Sequence, residues 1–254
     1  MVKIKTISEV KELQKTIAIQ KNAWGFDDLD VENHYLMTRV QKYGGLVQGL
    51  YLDNQMIGFS YALIGKRQDE YIIYSHMTAV IKEHQGKGYG FRLKKAQRKA
   101  VLDMGYDVIE WNFDPIESSN AYFNFHRLGI ISREYERNIY GKGESGLHKG
   151  LPTDRLIATW ELNSNRVIHK MKSRDPRIME DISDHQIANF REEVSYVEIP
   201  RDIRAIKKND MRTAFEWRMK TRELIEQALA NNRVVKEVVF STDRQNIFYK
   251  LMPE

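Results

Sequence analysis

The sequence contains no cysteine among its 254 residues. Disulfide bonds, thiolate metal sites and a cysteine nucleophile are therefore excluded, so catalysis must use other groups. It also lacks any run of about 18 uncharged apolar residues, the length that a membrane-spanning helix needs. The opening stretch MVKIKTISEVKELQ is interrupted by Lys and Glu too often for a signal peptide. We expect a cytoplasmic protein with no membrane partner.

The charge balance is mildly basic. Forty Lys and Arg face 35 Asp and Glu, a net charge of +5, which fits an anionic ligand, a nucleic acid or an ordinary solvated surface. Most of the basic residues are interleaved with acidic ones. The exception is a group on one stretch, formed by Lys94, Lys95, Arg98 and Lys99. We therefore do not expect a nucleic-acid partner, and no histidine has a metal-ligand pattern around it.

The periodicity predicts a mixed order of elements. A strand over residues 2–6 and two helices precede a hairpin over 46–52 and 56–64, and a longer strand over 71–81 follows. Beyond an amphipathic helix that ends at Gly105, we expect a strand over 106–113, a helix over 119–128 and strands over 130–140 and 156–162. The strand, helix, strand order over 71–113 fits a right-handed parallel crossover inside an otherwise antiparallel sheet. The fold class is therefore α/β with a mixed sheet.

The most specific stretch is TAVIKEHQGKGYGFRLKKAQ, residues 78–97, where a strand, a turn with three glycines and a helix follow one another. Gly86, Gly88 and Gly90 lack the Cβ atoms that would obstruct an anion, and the first N–H groups of a helix have no intrahelical acceptor. Lys87 and Arg92 would add attraction for a phosphate. The pattern is neither a Walker loop nor the usual dinucleotide motif.

The run from Gln85 to Gly90, QGKGYG, resembles the Q/R-x-x-G-x-G/A motif by which members of the GNAT superfamily of acyltransferases hold coenzyme A. The element order over residues 2–162 is similar to the whole superfamily fold. The resemblance implies a GNAT acyltransferase domain over residues 1–165. Its cosubstrate would be acetyl-CoA or another acyl-CoA, and no metal would be needed.

The resemblance also implies which residues bind the cosubstrate. Main-chain groups of Met77, Thr78, Ala79 and Val80 would run beside the pantetheine arm and polarise the thioester carbonyl. The pyrophosphate would be held by the loop residues Gln85, Gly86, Lys87, Gly88, Tyr89 and Gly90. A backbone amide that donates to the developing oxyanion stabilises the tetrahedral intermediate more than the ground state.

The ending Leu128-Gly129-Ile130 resembles the family's L-G-F signature. When the segment is aligned with the family on this signature, the sequence differs from the family pattern at two positions. Phe125 stands where many members carry a tyrosine that protonates the departing thiolate, and Ser118 stands where an asparagine is frequent. Tyr122, one helical turn earlier, is a candidate for the acid, or a structural aromatic. Asn120 is a candidate pantetheine contact, or a first-turn residue of its helix.

A base must accept the proton of an ammonium substrate, because only the neutral amine attacks a thioester. Glu110 is one candidate, since it sits on a strand predicted to line the cleft; its structural alternative is a carboxylate on a solvated face. His76, on the strand that leads into the glycine motif, is the other, and its alternative is an ordinary strand histidine. His84 is interpreted as a turn residue.

Residues 166–254 form an additional segment, interpreted as αββ: a helix over 206–231 and a hairpin over 234–240 and 247–251, preceded by a short strand over 197–200. It would pack on the first domain, cover an acceptor site or form a homodimer interface. The whole chain is similar to a poorly characterised group of predicted acetyltransferases with such an extension.

The predicted function is transfer of an acetyl group from acetyl-CoA directly to an amine. The first alternative is a non-catalytic acyl-CoA-binding or regulatory module, and the second is a nucleic-acid-binding protein. The residues leave the acceptor open between a small amine, an amino acid, a peptide N-terminus and a protein lysine.

Overall fold

The computed structural model describes residues 1–141, 150–172 and 177–254. Among these, residues 1–111 form one compact unit and the others form a second. Residues on both sides of position 165, where the sequence suggests a domain boundary, belong to the second unit. That boundary stays a prediction.

The first unit follows the predicted order of elements. They are β1 (Val2–Thr6), α1 (Val10–Trp24), α2 (His34–Lys42), β2 (Leu46–Leu52), β3 (Gln55–Arg67), β4 (Glu70–Val80), α3 (Tyr89–Asp103) and β5 (Val108–Phe113), whose last two residues belong to the second unit. Strands β1 to β4 pair antiparallel with their neighbours in chain order. Strand β5 pairs parallel with β4, so the predicted crossover and mixed sheet are confirmed.

The β2–β3 hairpin shows how local sequence sets the fold. Asp53 and Asn54 occupy the turn with φ of 47° and 69°, the left-handed region. Two successive positive φ angles belong to the hairpin turn whose twist matches the flanking strands, and Asp and Asn tolerate them better than most residues. The turn composition therefore determines where the strands reverse.

Both faces of the sheet in this unit are covered. On one side, α1 and α2 contribute Leu13 and Met37 to a cluster with Phe59 and Tyr61 of β3, all fully buried. On the other, Leu93 of α3 packs with Leu50, Ile57 and Val80. Burying a side chain of this size is worth about 1.5–3 kcal/mol relative to leaving it in water. The two clusters hold β4 between helical layers.

The second unit contains the remaining elements. They are α4 (Ser118–Ala121), continued by a π-helical turn (Tyr122–Leu128), β6 (Tyr135–Glu136), β7 (Arg155–Glu161), α5 (Asn165–Lys172), β8 (Met179–Glu180), β9 (Ser195–Ile199), α6 (Ile203–Asn209), α7 (Met211–Ala230), β10 (Arg233–Ser241) and β11 (Ile247–Pro253). A four-stranded sheet in the order β8, β10, β11, β9 is built from the C-terminal segment.

Three predicted elements differ from the structure. The helix predicted over 206–231 is two helices, because the Asp210 carboxylate accepts from the N–H groups of Arg212 and Thr213 and starts a new helix. The strand predicted over 130–140 is reduced to Tyr135–Glu136, and Asn138 follows it with a φ of 48°. The C-terminal segment contains the predicted hairpin and the predicted short strand, the latter as β9, and it also contains the two-residue strand β8.

No helix in the described ranges is both long and apolar enough to cross a membrane.

Candidate functional site

The glycine-rich loop joins β4, which ends at Val80, to α3, which begins at Tyr89. Gly86 and Gly88 have φ of +73° and +80°, the left-handed conformation that favours glycine. At both, no atom lies within 4 Å of where a Cβ would stand, and Gly88 directly precedes the first turn of α3. The loop therefore presents open backbone at the start of a 15-residue helix.

Side chains of the loop stabilise its backbone. The Gln85 side-chain amide donates to the carbonyl of Val80 at 2.9 Å, and the Lys87 ammonium donates to the carbonyl of Glu83 at 2.9 Å. Lys87 thus braces the loop in this structure, a different contact from the predicted one to a phosphate. A preformed cradle of N–H groups at a helix N-terminus favours an anion through both hydrogen bonds and the helix dipole.

The second half of β4 has one free edge. Its pairing with β5 is limited to Ile73 with Ile109 and Tyr74 with Glu110. Beyond that point, in the described part of the chain, the segment Met77–Val80 has only β3 as a ladder partner. Its other edge therefore has no ladder partner there, although the Val80 carbonyl accepts from Gln85, and this edge leads directly into the glycine-rich loop.

His76 is an extra residue in β4. Met77 pairs with Tyr61 and Ser75 pairs with Ala62, so His76 lies in a β-bulge opposite no residue of β3. Bulges re-aim a side chain locally and are frequent beside active sites. The His76 side chain is about one-third exposed, and its Nε2 lies 3.3 Å from Oε2 of Glu32.

Glu32 was not identified from the sequence, because it lies in the connection between α1 and α2, where no periodicity marks it. Gln20 holds it in place: the Gln20 side chain accepts from the Glu32 N–H at 2.7 Å and donates to the Glu32 carbonyl at 3.1 Å. The Tyr61 ring stands edge-on to His76, with centroids 5.5 Å apart. Its buried hydroxyl has no hydrogen-bond partner among the described residues. Burial, and then the charge of Glu32, raise the pKa of Tyr61 to about 12.

Comparison with protein-family models finds the acetyltransferase (GNAT) family over residues 8–130. This range contains β4, the loop, α3 and β5 with the geometry described above. Residues 8–130 form a GNAT acetyltransferase domain. Its enzyme class is therefore acyltransferase.

Solved structures share this fold at low sequence identity. The ribosomal-protein-S18-alanine N-acetyltransferase of Escherichia coli has a TM-score of 0.51 and 18% identity, covering 65% of this chain and 96% of its own. The yncA protein of Salmonella typhimurium, with its cofactor acetyl-CoA, has a TM-score of 0.51 and 16% identity, covering 65% and 96%. An N-acetyltransferase of Staphylococcus aureus Mu50 has a TM-score of 0.51 and 14% identity, covering 64% and 99%. No curated protein matches the sequence.

The other predicted base of the GNAT domain, Glu110, has a different environment from His76. Its carboxylate is largely buried, and Nη1 of Arg67 lies 2.9 Å from each of its two oxygens. Both oxygens are thus engaged by a cation, whereas the partner of His76 is an acid. The single guanidinium nitrogen that donates to both oxygens competes with a substrate proton for their lone pairs.

Lys94 is one of the four basic residues that the sequence groups together on α3. It is buried: its ammonium donates to Oγ of Ser75 at 2.8 Å and to Oε1 of Gln97 at 3.1 Å. Its Nζ also lies 3.8 Å from the centroid of the Trp111 ring. Burial lowers the pKa of Lys94 to about 7, far below the ordinary 10.5.

We expect Lys94→Met to stabilise the protein in a pH-dependent manner. Between pH 7 and pH 10.5 the unfolded chain binds a proton at Lys94 that the folded chain has released, so the wild type gains stability as the pH rises. The cost of the buried amine is therefore largest at pH 7 and below. The advantage of the variant in free energy of unfolding should shrink by about 1–2 kcal/mol from pH 7 to pH 9. Denaturant unfolding across this range measures it.

The matched control is Lys95→Met, the exposed neighbour on the same helix. Its difference from the wild type should not vary with pH over the same range. A parallel curve for Lys94→Met would show that the folded protein holds that amine protonated.

The remaining predicted residues lie in the second unit. Phe125 is fully buried, with its ring centroid 5.6 Å from that of Tyr249, so it belongs to a hydrophobic core. The Tyr122 ring is half-buried and stacks on His126 at 4.7 Å. Asn120 is exposed, and the Ser118 hydroxyl donates to the carbonyl of Arg201. Their roles toward a cosubstrate stay predictions.

Proposed function

We propose that the GNAT domain transfers an acetyl group from acetyl-CoA directly to an amine. The observation that carries this proposal is the free backbone edge of Met77–Val80, which continues into the open loop at Gly86–Gly90. The edge matches the amide groups of a pantetheine arm, and the loop N–H groups match a pyrophosphate. The acetyl-CoA in the Salmonella typhimurium structure supports this choice of cosubstrate.

The reaction needs one proton acceptor. The neutral amine nitrogen attacks the thioester carbonyl carbon, a C–N bond forms, the C–S bond breaks, and CoA leaves as its thiolate. We assign the proton of the attacking nitrogen to His76. Glu32, 3.3 Å away, would orient the ring and stabilise the imidazolium that forms. An acid behind a histidine is a recurrent arrangement for a general base.

The leaving thiolate needs less assistance from the protein than the attacking amine does. A thiolate is stable enough to depart without being protonated in the same step. The buried Phe125 ring supplies no proton, and Tyr122 stays the predicted acid. Backbone amides of β4 at the thioester carbonyl would stabilise the oxyanion.

Two measurements on the wild type test the proposal. Calorimetric titration with acetyl-CoA and CoA should show saturable binding. Release of free thiol from acetyl-CoA should then follow with at least one of a small amine, an amino acid, a peptide N-terminus or a peptide lysine. Binding without turnover would favour the non-catalytic acyl-CoA module, for which the loss of the usual tyrosine at position 125 is the supporting observation. If the folded, ligand-free protein binds neither acetyl-CoA nor CoA, both the acetyltransferase and the non-catalytic acyl-CoA module are rejected.

We propose acetyl as the preferred acyl group. Titration with longer acyl-CoAs, compared with acetyl-CoA, tests this preference. A cytoplasmic location and a homodimer stay predictions.

A further inference from the structure

The second unit contains an open cavity of about 400 Å³ with three arginines on its wall: Arg177, Arg201 and Arg244. A neighbouring cavity of about 270 Å³ shares Arg177 and Arg201 with it and adds Tyr122. Volumes of this order accommodate small molecules. Both cavities are lined entirely by residues of the second unit, on α4, the π-helical turn, β8, the β10–β11 hairpin and two connecting segments.

The three arginines have no acidic partner among the residues that the structure describes. Seven other arginines of this unit form ion pairs, and they are Arg133, Arg137, Arg166, Arg204, Arg212, Arg218 and Arg222. None of the three has an ion pair with any described residue. The pKa of the nearby Asp243 is lowered mainly by the Ser241 hydroxyl and the Gln245 amide, and Arg201 contributes less. The cavity wall is therefore positively charged.

Two of the three guanidiniums, those of Arg177 and Arg201, are placed by contacts that leave them charged. Arg177 lies over two aromatic rings, 5.2 Å from the centroid of Phe240 and 5.7 Å from that of Tyr122. Nη1 of Arg201 donates to the carbonyls of Arg244 and Gln245 at 2.6 and 3.3 Å. Such contacts orient an arginine without neutralising it.

Arg244 occupies a costly backbone position. It lies in the β10–β11 hairpin with a φ of +60°, in the left-handed region that favours glycine or asparagine. Three like charges in one cavity also repel one another. The three arginines lack a negative counter-charge among the described residues. An anion bound in the cavity would supply that charge and offset the cost of the turn.

We propose that this cavity binds a phosphate monoester carried on a planar ring. One carboxylate is satisfied by one bidentate arginine, whereas three guanidiniums match the three terminal oxygens of a phosphoryl dianion and more than balance its two negative charges. Phe240, which lines both cavities, provides apolar surface for the ring, and the Arg177 guanidinium that lies over Phe240 offers a planar cation against which a flat partner stacks.

Adenosine monophosphate is the probe for the test, with adenosine and inorganic phosphate as its two halves. We expect saturable binding of adenosine monophosphate by calorimetry, with adenosine at least tenfold weaker. Arg177→Gln should weaken binding of the nucleotide at least tenfold. Arg244→Gly should do the same while relieving the positive φ, so its thermal stability should equal or exceed that of the wild type. Arg191→Gln, an exposed arginine outside the cavity, is the matched control.

A competition experiment separates this site from the acyl-CoA site. Binding of adenosine monophosphate that persists in the presence of saturating CoA, and in a Gly88→Leu variant, supports a separate site. Displacement by CoA together with weaker CoA binding in both arginine variants would mean that the cavity holds part of the cosubstrate, and would overturn the proposal. Unchanged affinity in both arginine variants, or no binding at millimolar concentration, would also overturn it.

Discussion

Replacing Gly88 by leucine should weaken acetyl-CoA binding about 100-fold or more while leaving the protein folded. The new side chain would stand in the space over the loop that is empty in the structure, where the pyrophosphate is proposed to lie. It would displace the phosphate from the loop N–H groups. Hydrogen bonds to a charged group are worth about 1.5–3 kcal/mol each, so losing one or two accounts for this factor.

Gly105→Leu provides the matched control. Gly105 has a φ of +86°, no atom lies within 4 Å of its Cβ position, and it follows the opposite end of the same helix α3. Both substitutions place a side chain in the left-handed region, at a cost of about 1–2 kcal/mol. Thermal unfolding should therefore give similar losses, whereas calorimetry with acetyl-CoA should separate the two variants. Equal affinities in both would place the cosubstrate elsewhere.

His76→Gln should reduce kcat about 100- to 1,000-fold with little change in KM for acetyl-CoA, the range for loss of a general base. Glutamine retains a polar group of similar size at the bulge but cannot accept the substrate proton. Glu32→Gln should cost less, about tenfold, because it removes the orienting carboxylate and leaves the base. Steady-state release of free thiol, with an accepted amine in excess, measures both.

His185→Gln is the control, since His185 is exposed on a short turn of the second unit. Its kcat should match the wild type. If Glu110→Gln lowers kcat more than His76→Gln does, with acetyl-CoA affinity intact in both variants, Glu110 and not His76 is the general base.

The parts of the site that use backbone could be predicted from the sequence. Three glycines between a strand and an amphipathic helix indicate both a turn and an anion site, because glycine spacing and helical periodicity are local properties. The parallel pairing of β4 and β5 follows from the crossover length. The family resemblance then adds the cosubstrate, which the glycines by themselves leave open between several phosphate ligands.

The parts that depend on distant residues could not be predicted. Glu32 reaches His76 across 44 positions of sequence, and no pattern around either marks the pair. Arg67 engages Glu110 across 43 positions, which changes how that carboxylate is interpreted. Lys94 falls on the buried side of α3, although lysine is usually exposed, because Ser75, Gln97 and Trp111 together form its pocket. Such contacts are determined by tertiary packing.

The bulge at His76 means that folding and this histidine are separable. Met77 and Ser75 already oppose adjacent residues of β3, Tyr61 and Ala62, with His76 looped out between them. A chain from which residue 76 is deleted would close into an uninterrupted ladder in which every other side chain keeps its present face. The sheet is thus complete without this residue. The bulge directly follows Tyr74, the last residue of β4 that pairs with β5, so it lies where the two strands part.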